Sequence, residues 1–95
     1  MTRVVSRLNS NLIGDLLAEA RRDARLTQSE VGRRVGRPQN WVSDVEHGHA
    51  YCRFDDFVAI ATAIGADPTT LCGRYLELRA LREGIARQSV FRRKG

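Results

Sequence analysis

The sequence predicts an all-α domain of five helices. Three observations support this prediction: apolar residues recur at helical spacing along most of the chain, helix-start signals precede several of these segments, and glycines stand where several of them end. No strand pattern emerges beside them. With 95 residues, of which 42% are hydrophobic and 28% charged, the chain suffices for one compact domain with a modest core and tails.

The first helix is predicted from Asn11 to Ala24, with Asn11 as its N-cap. Its apolar residues recur at helical spacing: Leu12, Ile13, Leu16, Leu17, Ala20 and Ala24. We expect residues 1–11 to form a flexible arm, and residues 12–78 to form the compact domain.

Two short helices with a tight turn between them follow. Helix two starts with a capping box, because Thr27 can accept from the amide of Glu30 while the Glu30 carboxylate reaches back to the Thr27 amide. Gly36 supplies the positive φ that suits a helix end before a sharp turn. Pro38 marks the entry of helix three, which stops at Gly48. The residues expected to face inward are Val31, Val35, Val42 and Val45.

Helix four is predicted in the segment "FDDFVAIATAIG", which Gly65 ends. Its expected inward residues are Phe54, Phe57, Val58, Ala61 and Ile64. Asp67 is placed to cap helix five, with Pro68 in the first turn. This helix is expected to run through Leu71, Tyr75 and Leu78.

Residues 79–95 are predicted to be a basic, partly helical extension. Leu81 and Ile85 continue the helical spacing, but Gly73, Gly84 and many arginines dilute it, so helix, frayed helix and tail all stay open. The final residues, "FRRKG", are expected to be disordered.

The charge balance favours a polyanionic partner. The net charge is +5 and the pI about 10.2, which places nucleic acid ahead of an anionic membrane. No apolar run is long enough to cross a bilayer, and "MTRVVSRLNS" lacks the hydrophobic stretch of a secretory signal, so we expect a cytoplasmic protein. Cys52 and Cys72 should then stay reduced.

Gly32, in the middle of helix two, suggests a close approach by another backbone, and helix three is the natural neighbour. Two short helices, a glycine turn and a small residue at the crossing are typical of a helix-turn-helix. The stretch "LTQSEVGRRVGRPQNWVSDVEHG", followed by "FDDFVAIATAIGADPTTL", resembles the phage-repressor and Cro-like family of the xenobiotic-response-element (XRE) type. The resemblance covers about residues 12–78. It implies a compact lambda-repressor-like domain and a transcriptional regulator of the repressor kind that binds double-stranded DNA.

The resemblance places helix three in the major groove. Gln39 and Asn40 occupy its first turn, and amide side chains can form paired hydrogen bonds with adenine, so these two are the best candidates for reading bases. Ser43 and Asp44 lie one turn further on. Asp44 departs from the family's usual basic or amide residue, and two roles stay open for it: accepting from a cytosine amino group or excluding other sequences.

Other residues are candidates for holding the DNA backbone. Gln28 lies where the family holds a phosphate, and the positive end of the helix two dipole supports that assignment independently. Trp41 lies at the edge of the inner stripe, so burial in the core and contact with a sugar and phosphate are about equally favoured. The flanking candidates are Arg37, His49, Tyr51 and Arg53.

Glu46 is interpreted as structural although it is acidic and close to the expected DNA surface. In the family the matching glutamate pairs with an arginine at the position of Arg21 on helix one, which locks helix three to the scaffold. Breaking a pair of this kind is costly if it is buried.

A homodimer is predicted, because one recognition helix reads too few bases to select a single genomic site. The candidate interface is an apolar stripe on the last helix: Leu71, Tyr75, Leu78, Leu81 and Ile85. Closure of the domain is a competing role for the first three. Family geometry then requires an inverted-repeat site. The alternative is an antitoxin or regulator whose tail, from Arg79 onward, binds a partner protein.

Catalysis and cofactor binding have little support. Neither paired carboxylates, a phosphate loop nor a Ser/His/Asp set is visible, so we expect no enzyme. His47, His49, Cys52 and Cys72 are possible zinc ligands, but their spacing matches no common zinc module and we expect no metal. An RNA-binding module ranks lower, since RNA readers usually stack bases on a sheet.

Overall fold

The computed structural model of the protein describes the backbone of residues 2–91 and the side chains of residues 11–84. The elements in chain order are α1 (Thr2–Asp23), α2 (Gln28–Val35), α3 (Gln39–Glu46), α4 (Phe54–Ile64) and α5 (Pro68–Phe91). Over residues 2–91 these helices occur without a strand, so the predicted all-α, five-helix fold is confirmed. None of the described helices is long and apolar enough to cross a membrane.

Helix α1 begins earlier than predicted. Its backbone is helical from Thr2 and kinks at Asn11, where φ is −147° and ψ is 34°. Asn11 therefore separates two helical segments, and the second begins directly after it, where the sequence predicts the start of a helix. The reason is tertiary, because its side-chain amide donates to the Glu46 carbonyl at 2.7 Å and thus satisfies the end of α3. The predicted flexibility of residues 1–11 lies outside the described side chains.

The turn between α2 and α3 has the predicted chemistry. The Glu30 amide donates to Thr27 Oγ1 at 3.0 Å and the Thr27 amide donates to Glu30 Oε1 at 2.8 Å, so the capping box is confirmed. Gly36 ends α2 with φ at +74°. A Cβ at Gly32 would lie 2.6 Å from the Arg37 carbonyl oxygen. The close approach predicted at Gly32 is therefore confirmed, and it involves the end of the turn as well as the start of α3.

The core lies where the first four helices meet. It consists of buried apolar side chains, namely Leu17, Val31, Val42, Val45, Phe57, Ile60 and Ile64. The prediction that Phe54 faces inward is wrong, because its side chain is 70% exposed. Phe54 is the first residue of α4, one turn before Phe57, and its ring stacks on the Phe57 ring at the edge of the core. Ile60 takes the buried position that the prediction missed.

Helix α5 packs on the core only near its start. Leu71 and Cys72 contact the core, and Tyr75 and Leu78 are half-buried. Leu81 is 61% exposed. The backbone continues as helix to Phe91. The side chain of Ile85, and residues 92–95 of the tail expected to be disordered, lie outside the described residues.

Candidate nucleic-acid interface

Helix α3 presents most of its predicted base readers on an open surface. Gln39, Asn40 and Asp44 are exposed, and Ser43 is half-buried. The helix follows Pro38 in extended conformation, and Val42 and Val45 anchor its other face in the core. Because the anchoring face and the exposed face alternate at helical spacing, the burial of the two valines fixes which side chains point outward.

A chain of hydrogen bonds connects the start of α3 to α1. Gln39 Nε2 donates to Gln28 Oε1 at 2.6 Å, and Gln28 Nε2 donates to Glu46 Oε1 at 2.8 Å. Arg21 completes it by donating through Nε to Glu46 Oε2 at 2.6 Å and through Nη2 to Oε1 at 3.0 Å. We call these four residues the Gln39–Arg21 chain. It leaves the carbonyl oxygen and one amide hydrogen of Gln39 available to a ligand.

Glu46 is the centre of this chain. Its side chain is only 7% exposed and that of Arg21 12%, so the ion pair implied by the family resemblance is present and shielded from water. Arg21 Nη1 also donates to the Leu26 carbonyl at 2.8 Å, which ties the pair to the loop before α2. Within the described residues, no buried side-chain nitrogen or oxygen lacks a hydrogen-bond partner. A buried charge costs little only when it is satisfied in this way.

Gln28 has a role that the sequence did not reveal. The resemblance implies contact with a DNA phosphate, whereas the side-chain amide bridges Glu46 and Gln39. The backbone amide of Gln28, at the first position of α2, still points out of the helix end. No sequence signal identifies the bridge, because its partners are 18 and 11 residues away.

A second charged cluster flanks the other side of α3. The guanidinium carbon of Arg37 lies 4.3 Å from the centre of the Trp41 ring, and Nη2 of Arg37 lies 3.5 Å from Asp56 Oδ1. Arg53 Nε lies 3.7 Å from Asp56 Oδ2. Trp41 is half-buried and packs against the core, and its contact with a DNA sugar and phosphate stays a prediction. No signal in the sequence identifies Asp56, because Arg37 lies 19 residues away from it.

The loop after α3 carries His47, His49 and Tyr51, all exposed. The histidine rings stack with 6.0 Å between their centres, and His47 Nδ1 lies 2.8 Å from the Ser43 carbonyl oxygen. Cys52 is half-buried, and burial, reinforced by the nearby Asp56 carboxylate, raises the pKa of its thiol. Among the described side chains, no three His, Cys, Asp or Glu residues converge as metal ligands would.

Gly14 is a further position that sequence reasoning missed. A Cβ there would lie 2.6 Å from the carbonyl oxygens of both Val45 and Glu46, so α1 and the end of α3 are in backbone contact. The available signal was the one used for Gly32, a glycine inside a helical pattern. Gly48 follows α3 with φ at +77°, beside the Asn11 side chain. These two glycines set the depth at which α3 sits against α1.

Comparison with known proteins places the chain in a family. A family model described as a helix-turn-helix domain matches residues 12–71. The fold is similar to a solved structure, an XRE-family like protein from Pseudomonas syringae pv. tomato str. DC3000. The TM-score is 0.69 and the identity 32%, over 81% of this chain and 94% of that one. The search of curated proteins gave no significant match. The chain therefore belongs to the XRE-type helix-turn-helix family of DNA-binding regulators.

Proposed function

We propose that the protein is a transcriptional repressor that reads the major groove of double-stranded DNA with α3 and binds its site as a homodimer. The observation that carries this proposal is the Gln39–Arg21 chain, which holds an amide side chain at the exposed start of α3. A side chain held in place in the free protein loses less conformational entropy when it binds. Such an arrangement suits recognition of a base edge.

Gln39 and Asn40 are the proposed base readers. An amide group that both donates and accepts can pair with N7 and N6 of adenine, a pattern that distinguishes A·T from the other base pairs in the major groove. Ser43 and Asp44 are proposed to face the next bases. For Asp44 the carboxylate would accept from a cytosine amino group or repel wrong sequences.

The proposed backbone contacts surround these readers. The Gln28 backbone amide offers a donor at the positive end of α2, and the remaining candidates are Arg37, Trp41, His49, Tyr51 and Arg53. Apart from Gln28 and Trp41, which are half-buried, all of them are exposed. Phosphate contacts of this kind fix the register of the protein on DNA and leave sequence selection to α3.

The proposed dimer pairs two copies through α5. Leu71, Tyr75 and Leu78 are partly used in closing the domain, whereas Leu81 is 61% exposed. Ile85 follows one turn later, with a side chain outside the described residues. A twofold pair would read two half-sites whose centres lie about 34 Å apart. A dimer seated on such a site would block access to a promoter, which is why we propose repression.

Selection of bound duplexes from a random pool tests the proposal. We expect an inverted-repeat sequence to be enriched, and a reporter placed behind this sequence to be silenced by the protein. Recovery of sequences no different from the starting pool would contradict sequence-specific binding. Enrichment of a single half-site would contradict the dimer.

A second role is supported by the exposed leucines of α5. Leu76 and Leu81 are 53% and 61% exposed, and the helix extends to Phe91. Apolar side chains on a projecting helix also suit a partner protein, as in an antitoxin whose residues 79–95 bind another chain. Co-expression with the neighbouring gene product distinguishes the two: a stable complex lost on truncation after Leu78 supports the partner, and its absence supports the homodimer.

A further inference from the structure

We propose that Asp56 is an internal counter-ion that limits how strongly the DNA-facing arginines attract phosphate. This inference rests on the proposed function, because Arg37 and Arg53 are two of its backbone contacts. Asp56 would thereby keep the affinity for random DNA low. It would also keep the dependence of that affinity on salt moderate. Its role is to set affinity, without touching DNA itself.

The position of Asp56 suits a counter-ion. The Asp56 side chain is 13% exposed and lies between the two arginines, with Oδ1 3.5 Å from Arg37 Nη2 and Oδ2 3.7 Å from Arg53 Nε. One negative charge thus faces two positive charges at the end of α4 nearest to α3. The cluster has a net charge of about +1, where the two arginines alone would supply about +2.

Both ion pairs of Asp56 are longer than a well-formed hydrogen bond. Separations of 3.5 and 3.7 Å exceed the roughly 3.2 Å expected for a well-formed N–H···O hydrogen bond. Charge therefore holds the arginines near Asp56 while most of their donors remain open. A phosphate oxygen can take these donors at shorter range, as charge-assisted bonds require.

Asp56 cannot move away when phosphate binds to the arginines. Its Oδ2 accepts from the Arg53 backbone amide at 3.1 Å, which ties the carboxylate to the start of α4. The negative charge therefore stays beside the arginines in the complex. By Coulomb's law it weakens each phosphate contact that these arginines make.

The cluster of Asp56, Arg37 and Arg53 also contacts the reading helix α3 through Arg37. Arg37 lies over Trp41, in the first turn of α3, with 4.3 Å between its guanidinium carbon and the ring centre. A shift of Arg37 toward phosphate would change the surroundings of that ring. Trp41 is the only tryptophan in the chain, so its fluorescence reports on Arg37 without a label.

The experiment compares Asp56→Asn with the matched control Asp55→Asn. Both variants remove one negative charge from the first turn of α4, but Asp55 is exposed and pairs with no cation among the described residues. Asparagine at position 56 can still accept from the Arg53 amide, so the helix start is retained. Binding to a random duplex and to the selected site is measured between 50 and 200 mM salt, with thermal unfolding as a check on folding.

We expect Asp56→Asn to bind both duplexes more tightly than Asp55→Asn at low salt. The slope of log affinity against log salt should steepen by about one, which adds about a fourfold loss between 50 and 200 mM. The Trp41 emission change on DNA binding should also grow. In a background of Arg37→Gln and Arg53→Gln, the two aspartate variants should behave alike.

Equal slopes for the two variants, or weaker binding by Asp56→Asn when it is folded, would overturn this inference. Those outcomes are distinct from a failure of the proposed function, which would appear as no duplex binding by the unaltered protein at low salt. If Asp56→Asn does not fold, Asp56→Ser takes its place, because it also removes the charge and keeps an acceptor at the start of α4: a slope steeper than that of Asp55→Asn supports the counter-ion role, and an equal slope refutes it.

Discussion

At the scale of single residues, Gln39 is a candidate reader whose side chain is held in place before DNA binds. Its amide nitrogen donates to Gln28, whereas the Asn40 side chain makes no hydrogen bond within the described part of the chain. Preorganisation therefore favours Gln39, and Asn40 has to be ordered when a base is bound. The two neighbours should differ in how much each contributes to sequence selection.

Replacing Gln39 or Asn40 by alanine should cost roughly 1 to 3 kcal/mol of binding free energy on the selected site and much less on random DNA. Gln28→Ala should share part of this loss because it frees Gln39. Titrations with both duplexes measure the difference, and Thr62→Ala, exposed near the far end of α4, is the control. Equal losses of binding free energy on both duplexes would show that these residues contact the DNA backbone and do not read bases.

Glu46 is the residue on which the stability of this surface depends most. Glu46→Ala should lower the free energy of unfolding by about 3 kcal/mol, because it leaves the shielded Arg21 charge without a partner and interrupts the chain to Gln39. Both the melting temperature and DNA affinity should fall. Glu19→Ala, an exposed acid on α1, should change neither much. An unchanged melting temperature for Glu46→Ala would contradict the structural role.

At the scale of the elements, α2 has only 8 residues, and its stability depends on the hydrogen bonds of its first turn. The Thr27 amide and hydroxyl donate to the Glu30 carboxylate, and Arg33 and Arg34 add favourable charge, so the pKa of Glu30 lies below its ordinary value of 4.5. A lowered pKa in the folded state stabilises the protein above the unfolded-state pKa. This contribution disappears as the pH falls through the folded-state pKa.

Glu30→Gln should therefore lower the melting temperature at pH 7 and have a smaller effect at an acidic pH, because the contribution of the charge is lost as the pH falls through the folded-state pKa. Thermal unfolding at both pH values measures the difference in melting temperature between Glu30→Gln and the unaltered protein. Glu19→Gln gives the baseline for an exposed acid outside the capping box. A difference in melting temperature that stays constant or widens toward low pH would show that the Glu30 charge does not stabilise α2.

The crossing of α1 and α3 depends on Gly14. An alanine there would place Cβ 2.6 Å from two backbone carbonyl oxygens, so α3 has to shift outward. We expect Gly14→Ala to destabilise the fold by about 1 to 3 kcal/mol. Gly73→Ala is the matched control, because Gly73 has open space around it on α5, and helix propensity should make that change neutral or stabilising by up to about 1 kcal/mol. Similar unfolding curves for both variants would contradict a tight crossing.

At the scale of the whole molecule, the core occupies the space between the first four helices, and much of α5 extends beyond it. Leu81 lies on the same side of α5 as Leu78, whereas Leu76 lies on a different face. Both are exposed apolar residues on one helix. They are therefore a matched pair for testing which face of α5 meets a second copy.

Leu81→Asp should convert the proposed dimer to a monomer at micromolar concentration, because a carboxylate would be buried in the apolar contact. Leu76→Asp should leave the dimer intact. Sedimentation measures the masses, and binding to the selected inverted repeat should weaken only for the first variant. Dimers that survive Leu81→Asp, or that fail with Leu76→Asp, would place the interface on another surface.

Much of the fold follows from the sequence by local rules. The capping box at Thr27 and the turn at Gly36 need only residues within four positions of each other. The helical spacing of apolar residues likewise located the core valines. The family and DNA binding were identified from the same stretch, because the helix-turn-helix is itself a local motif.

The sequence determined the succession of helices, the capping box of α2 and the face of α3 that lies outward, because hydrogen bonds and periodicity within a few residues encode them. Only the tertiary structure decided that Gln28 bridges Gln39 and Glu46, that Phe54 is exposed and that Asp56 faces two arginines. These features depend on how helices cross. The crossing is set by backbone contacts at Gly14 and Gly32, whose partners are distant in the chain or lie beyond the turn.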